Sequence, residues 1–218
     1  MTESLALAEL PLFPLGTVLY PGGLLPLRIF EVRYLDMVRK CYQGQLPFGV
    51  VALSRGSEIQ RPAGGPGAEA FASEAFQAVG TLATITEFSA PQPGLIVIRC
   101  TGTRRFKVTR SDKRKHGLWV ADAVCLPADA SVEVPPYLQP VSDALGKLIH
   151  SLQERGVTAQ QMPIAQPYLL QDCAWVANRW CELLALTLER QQQLMALDNP
   201  LVRLELVGDM LEHSGIGL

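Results

Sequence analysis

The 218 residues carry 19 basic and 21 acidic side chains, a formal net charge of −2, with 48% hydrophobic and 18% charged residues. This is too apolar for a solvated disordered chain, and the charge offers no bulk attraction to nucleic acid or anionic lipid. A chain of this length folds as one or two ordinary domains and buries about 70% of its extended surface.

Leu10 to Leu27 contains no charged residue, which is the pattern of a membrane span or a signal core. Pro11, Pro14, Pro21 and Pro26, with Gly16, Gly22 and Gly23, exclude a span, because they break helical hydrogen bonds that hydrocarbon cannot replace. Glu3 and Glu9 stand where a signal peptide carries cations, so a cytoplasmic location is expected. The stretch reads instead as strand, glycine turn and strand, leading into a helix at Tyr34. Tyr34, Leu35, Val38, Cys41 and Tyr42 make an amphipathic stripe that Gly44 should stop. Short runs rich in β-branched residues predict strands at Leu24–Phe30, Phe48–Leu53, Val79–Phe88, Leu95–Cys100, Thr103–Thr109 and Leu118–Leu126. The glycine- and proline-rich run from Arg61 to Gly67 predicts a surface loop.

Ala128 to Pro136 is a small, acidic, proline-bearing junction, after which the pattern turns helical. Leu138, Val141, Leu145, Leu148, Ile149 and Leu152 form one apolar stripe that ends near Gly156. Asp172, Thr187 and Asn199 are placed as helix N-caps, the last with Pro200 in the first helical position and Gly215 closing the helix. Charge divides the same way. Residues 1–120 carry 14 basic and 9 acidic side chains, and residues 121–218 carry 5 and 12. The expected architecture is α+β: an N-terminal twisted antiparallel β pseudo-barrel with one helix, over residues 1–126, then a C-terminal helical bundle over 127–218.

Signatures of catalysis are missing. Gly146–Lys147 lacks the hydroxyl residue and the leading glycine of a phosphate loop, and no dinucleotide, zinc-protease or nucleophile-elbow motif occurs. His116, His150 and His213 have no partner at metal-ligand spacing. The five cysteines are odd in number and scattered, hence reduced thiols; Cys173 and Cys181, about 12 Å apart on one helix, cannot bridge. Core packing is preferred over a Cys173–His150 nucleophile pair, and interhelical packing over a pocket for Trp175 and Trp180. One basic cluster stands out: Arg104, Arg105, Lys107, Arg110, Lys113, Arg114 and Lys115, near Phe106, His116 and Trp119. It suits either an RNA-binding edge or, preferably, the charged wet face of a hairpin that resists edge pairing.

The segment Leu10-Pro-Leu-Phe-Pro-Leu-Gly-Thr-Val-Leu-Tyr-Pro-Gly-Gly-Leu-Leu-Pro-Leu-Arg-Ile-Phe-Glu-Val-Arg-Tyr closely resembles the opening of the Lon protease N-terminal domain, also called the Lon substrate-binding domain. That family's pattern is P-L-F-P-L-x-x-V-L-x-P-x-x-x-L-P-L-x-I-F-E-x-R-Y. Val79-Gly-Thr-Leu-Ala, Gly102-Thr-Arg-Arg-Phe, Trp175-Val-Ala-Asn-Arg-Trp-Cys-Glu-Leu-Leu and Pro200-Leu-Val-Arg-Leu extend the resemblance over residues 9 to 213. It implies a PUA-like strand lobe followed by helices, together forming one Lon N-terminal-type domain. Lon enzymes continue into an ATPase module and a Ser-Lys peptidase, neither of which is present in this sequence. The resemblance therefore implies a standalone, non-catalytic, cofactor-free module of bacterial protein quality control. Its implied partners are unfolded or damaged polypeptides, with a protease or chaperone ATPase acting in trans, and no membrane. An apolar groove between lobe and helices, reached past the loop at 61–67, is expected to hold the client. Phe13, Tyr20 and Phe30 are the candidate peptide contacts, although a packed core also explains aromatics there. The alternative is an RNA-binding PUA-like protein that uses Arg104–Lys115.

Overall fold

The computed structural model describes residues 5–55 and 74–215; the loop expected at 61–67 lies outside them. The chain divides into two compact units, Met1–Pro21 with Leu25–Pro127, and Gly22–Leu24 with Ala128–Leu218.

The first unit holds β1 (Ala6–Leu15), β2 (Leu24–Ile29), α1 (Val32–Gly44), β3 (Phe48–Arg55), β4 (Ala75–Gln92), β5 (Leu95–Lys113) and β6 (Trp119–Cys125). The sheet order is β2-β5-β4-β3-β1-β6, and a further β5–β6 pairing closes five of the strands into a ring with β2 outside it. The ladders between β1 and β6, β3 and β4, β4 and β5, and β5 and β6 are antiparallel. β1 and β3 instead run parallel, from Leu12↔Gly49 to Leu15↔Ala52. Parallel neighbours need a long connection, which β2 and α1 supply.

Alternation along the strands separates two cores. Leu10, Leu12, Val51, Leu82, Phe106 and Ala123 fill the ring. Phe13, Tyr34, Val38, Phe48, Ile96 and Ile98 pack on its other face, where α1 lies. Small residues make room for Phe106: a Cβ at Gly49 or Gly80 would come within 2.6 or 2.8 Å of its Cζ. The strands expected at Leu95–Cys100 and Thr103–Thr109 are one continuous strand, β5. Gly102 does not turn the chain. It lets the backbone of residue 20 approach, since a Cβ there would meet the Tyr20 carbonyl oxygen at 2.2 Å. Likewise α1 closes on Gln45, not Gly44: Gln45 takes the left-handed conformation (φ 51°) and its N–H donates to Cys41 and Tyr42 carbonyls.

The second unit holds a short 3₁₀ turn at Pro136–Leu138, then α2 (Gln139–Glu154), α3 (Cys173–Leu183), α4 (Leu188–Ala196) and α5 (Pro200–His213). Asp172, Thr187 and Asn199 cap α3, α4 and α5, each side chain accepting from backbone N–H groups of the first turn. The buried Arg203 binds the unit together. It donates to Asn178 Oδ1 at 2.9 Å, Asp129 Oδ2 at 2.7 Å and the Leu194 carbonyl at 2.9 Å, and also to the Leu197 carbonyl. Trp180 donates its Nε1–H to the Val141 carbonyl at 3.0 Å, so it belongs to the interhelical core. Among the described residues, no helix is long and apolar enough to cross a membrane.

Candidate functional site: an apolar cleft in the strand-rich unit

A cleft of about 1020 Å³ opens within the first unit. Ala6–Pro11 of β1 lines it, together with α1, the Leu46–Pro47 segment and the β5–β6 turn from Arg114 to Leu118. Most side chains facing it are apolar. Two of them, Val32 at 76% and Leu46 at 60%, are more exposed than large apolar residues usually are. Among the described residues, no Phe, Tyr or Trp lines it.

Strand pairing explains why the cleft is open. β1 meets β6 along Ala6–Leu12, but its ladder with β3 begins only at Leu12. Among the described residues, Ala6–Pro11 therefore pairs on one side only. This stretch is also irregular: the register with β6 shifts between Leu7 and Leu10, and Glu9 has φ 52°.

A buried ionic hub fixes the geometry. Arg33, next to the exposed Val32, donates from Nε to Glu31 Oε2 at 2.9 Å, from Nη1 to the Gly117 carbonyl at 3.1 Å and from Nη2 to Glu74 Oε1 at 3.2 Å. Glu74 Oε2 also accepts from Trp119 Nε1 at 2.9 Å and Lys113 Nζ at 3.2 Å. Both side chains are nearly sealed from water, at 3% and 4% exposure. Burial alone would raise the Glu74 pKa, but hydrogen bonds from Trp119 and Arg33, with the positive charge of Arg33, hold it below the usual carboxylate range. The hub joins the start of α1, the residue before β4 and the β5–β6 turn, and so ties α1 to the turn that also lines the cleft.

The aromatic candidates are dispersed. Phe13 is buried and stacked on Tyr34, ring centroids 3.9 Å apart, and Tyr20 is fully buried; packing leaves neither a face for a ligand. Phe30 is exposed, at 55%, but does not line the cleft. The basic cluster is also divided. Arg105 is buried, Lys113 is bound to Glu74 and Arg114 pairs with Glu9. Arg104, Lys107, Arg110 and Lys115 remain exposed.

Cys173 faces the Glu133 carbonyl at 3.5 Å, whereas His150 lies exposed beside Glu154. Burial raises the thiols of Cys41 and Cys173 and pushes Cys100 up to about 12, so these thiols are protonated at neutral pH. No cluster of three metal-ligating side chains occurs among the described residues. The cleft offers apolar contact and charge, the means of holding a ligand.

Sequence reasoning missed Val32, Leu46 and the β1 edge. Val32 carried a faint signal, an apolar residue outside the stripe of its own helix.

The family model for the ATP-dependent protease La (LON) substrate-binding domain matches residues 9–213. The structure is similar to the crystal structure of a Lon N-terminal domain protein from Xanthomonas campestris, with 32% identity, a TM-score of 0.71, and coverage of 93% of this chain and 98% of that one. It also shares its fold with the N-terminal domain of a Mycobacterium avium complex Lon protease, at 15% identity and a TM-score of 0.55, covering 94% of this chain and 98% of that one. No curated protein matches the sequence.

Proposed function

The chain belongs to the Lon substrate-binding domain family, a family of non-catalytic modules, and on that premise we propose that it captures exposed apolar segments of unfolded or damaged polypeptides in the cleft beside α1. The supporting observation is Val32 and Leu46, two large apolar side chains left in water in the lining of a mostly apolar cleft. An extended client segment that covers them, and that shields its own leucine or phenylalanine there, gains about 1.5–3 kcal/mol for each anchor before ordering costs. Two or three anchors give weak, reversible binding, with Kd on the order of micromolar to millimolar. Such capture suits a low-specificity recogniser that passes its client to an ATPase or protease in the cytoplasm.

The test is fluorescence anisotropy with labelled lysozyme that has been reduced and blocked with iodoacetamide, which keeps it unfolded, against native lysozyme. The blocked chain should bind and the native one should not. Leu46→Asp should weaken binding about tenfold or more, by placing a charge where an apolar anchor docks. Equal binding by Leu46→Asp and wild type would place capture elsewhere.

A further inference from the structure

The charges around the cleft do not balance. Arg33 is answered by Glu31 and Glu74, and Arg114 by Glu9. Asp36 has Arg39 beside it, at 3.6 Å. Lys40 and Lys115 also line the cleft, both are exposed, and neither has an ion pair among the described residues. Next to Lys115 lies His116. The lining thus presents two exposed ammonium groups among apolar side chains, and beside low-dielectric walls a charge pair is worth more than in open water.

We propose that the segment held in this cleft is an apolar stretch of polypeptide flanked by an acidic side chain, Asp or Glu, whose carboxylate meets Lys40 and Lys115. This rests on the reading of the cleft as the client site. It narrows the clients from any greasy segment to those with an acid beside their anchors. Nucleic acid, the other anionic partner, fits poorly. Among the described residues the lining has no Phe, Tyr or Trp for a base to stack on.

The experiment uses the full chain and two fluorescein-labelled peptides of about ten residues, with blocked ends and identical leucine and phenylalanine anchors, one bearing two Glu and the other Gln in their place. At low salt the Glu peptide should bind wild type about fivefold more tightly. That preference should vanish in Lys40→Gln/Lys115→Gln, shown folded by circular dichroism, and in about 0.5 M NaCl. Leu46→Asp should weaken both peptides. Equal affinity of the two peptides for wild type overturns the carboxylate preference while leaving apolar capture intact. Failure of both to bind, or indifference of both to Leu46→Asp, removes the capture reading and this inference with it. Displacement of the Glu peptide by a short single-stranded RNA, lost in the double lysine variant, also overturns the proposal.

Discussion

Both units bury an arginine, and they use it differently. Arg203, in the helical unit, donates to two backbone carbonyls near the end of α4, to Asn178 and to Asp129. Arg33, in the strand-rich unit, donates mainly to carboxylates and shares Glu74 with Trp119 and Lys113. The first joins α3, the end of α4, α5 and the segment at Asp129. The second ties together the edges of an open cleft. A buried cation is therefore no sign of a site in itself, nor is the exposed valine that precedes each one, Val32 at 76% and Val202 at 39%; what separates the two is that Arg33 lines an apolar cleft.

Removing each arginine's partners would sharpen that contrast. Arg203→Met should have the largest effect, a loss of about 3–5 kcal/mol on denaturant unfolding, because Asp129, Asn178 and the Leu194 and Leu197 carbonyls all lose a charged donor at once. Glu74→Gln should cost less, about 2–3 kcal/mol at neutral pH, and unlike the helical variant it should loosen peptide binding as well.

The pH dependence has opposite signs in the two units. The Glu74 pKa is depressed in the fold, so its contribution is present above the unfolded carboxylate value and disappears as pH falls through the folded value. Burial pushes Glu182 up to about 7, against the opposing charge of Arg179. Its contribution is complete below the unfolded value near 4.5 and declines as pH rises to about 7. Unfolding measured from pH 3 to 8 should therefore lose its acid-side slope in Glu74→Gln and its slope between about 4.5 and 7 in Glu182→Gln. The smallest effect is expected from Arg104→Gln/Lys107→Gln, two exposed strand positions, with stability within about 0.5 kcal/mol of wild type and no change in peptide affinity.

What could be read from the sequence was what is local in it. The caps at Asp172, Thr187 and Asn199 depend on residues two or three positions away, and each formed as expected. The family's most recognisable motifs turned out to build the frame: Phe13 stacks on Tyr34, Gly80 lies under Phe106, and Asn178 accepts from Arg203. Ring closure and the Arg33–Glu74 contact join residues far apart in the chain, which no periodicity reports. Burial is not legible from the motif for a related reason: a conspicuous motif invites a ligand, whereas Phe13 and Tyr20 are packed in the core and Phe30 of the same motif is exposed. Val32 falls at a position the family pattern leaves open, and its exposure became visible only once α1 was seated.

The kink at Glu9 has a consequence for the protein's own solubility. An open strand margin invites the same margin of another copy, and a straight one would seed stacking into fibres. With its left-handed residue in mid-stretch, β1 offers two short, misaligned lengths of backbone. An endless ladder of sister molecules cannot run past the break.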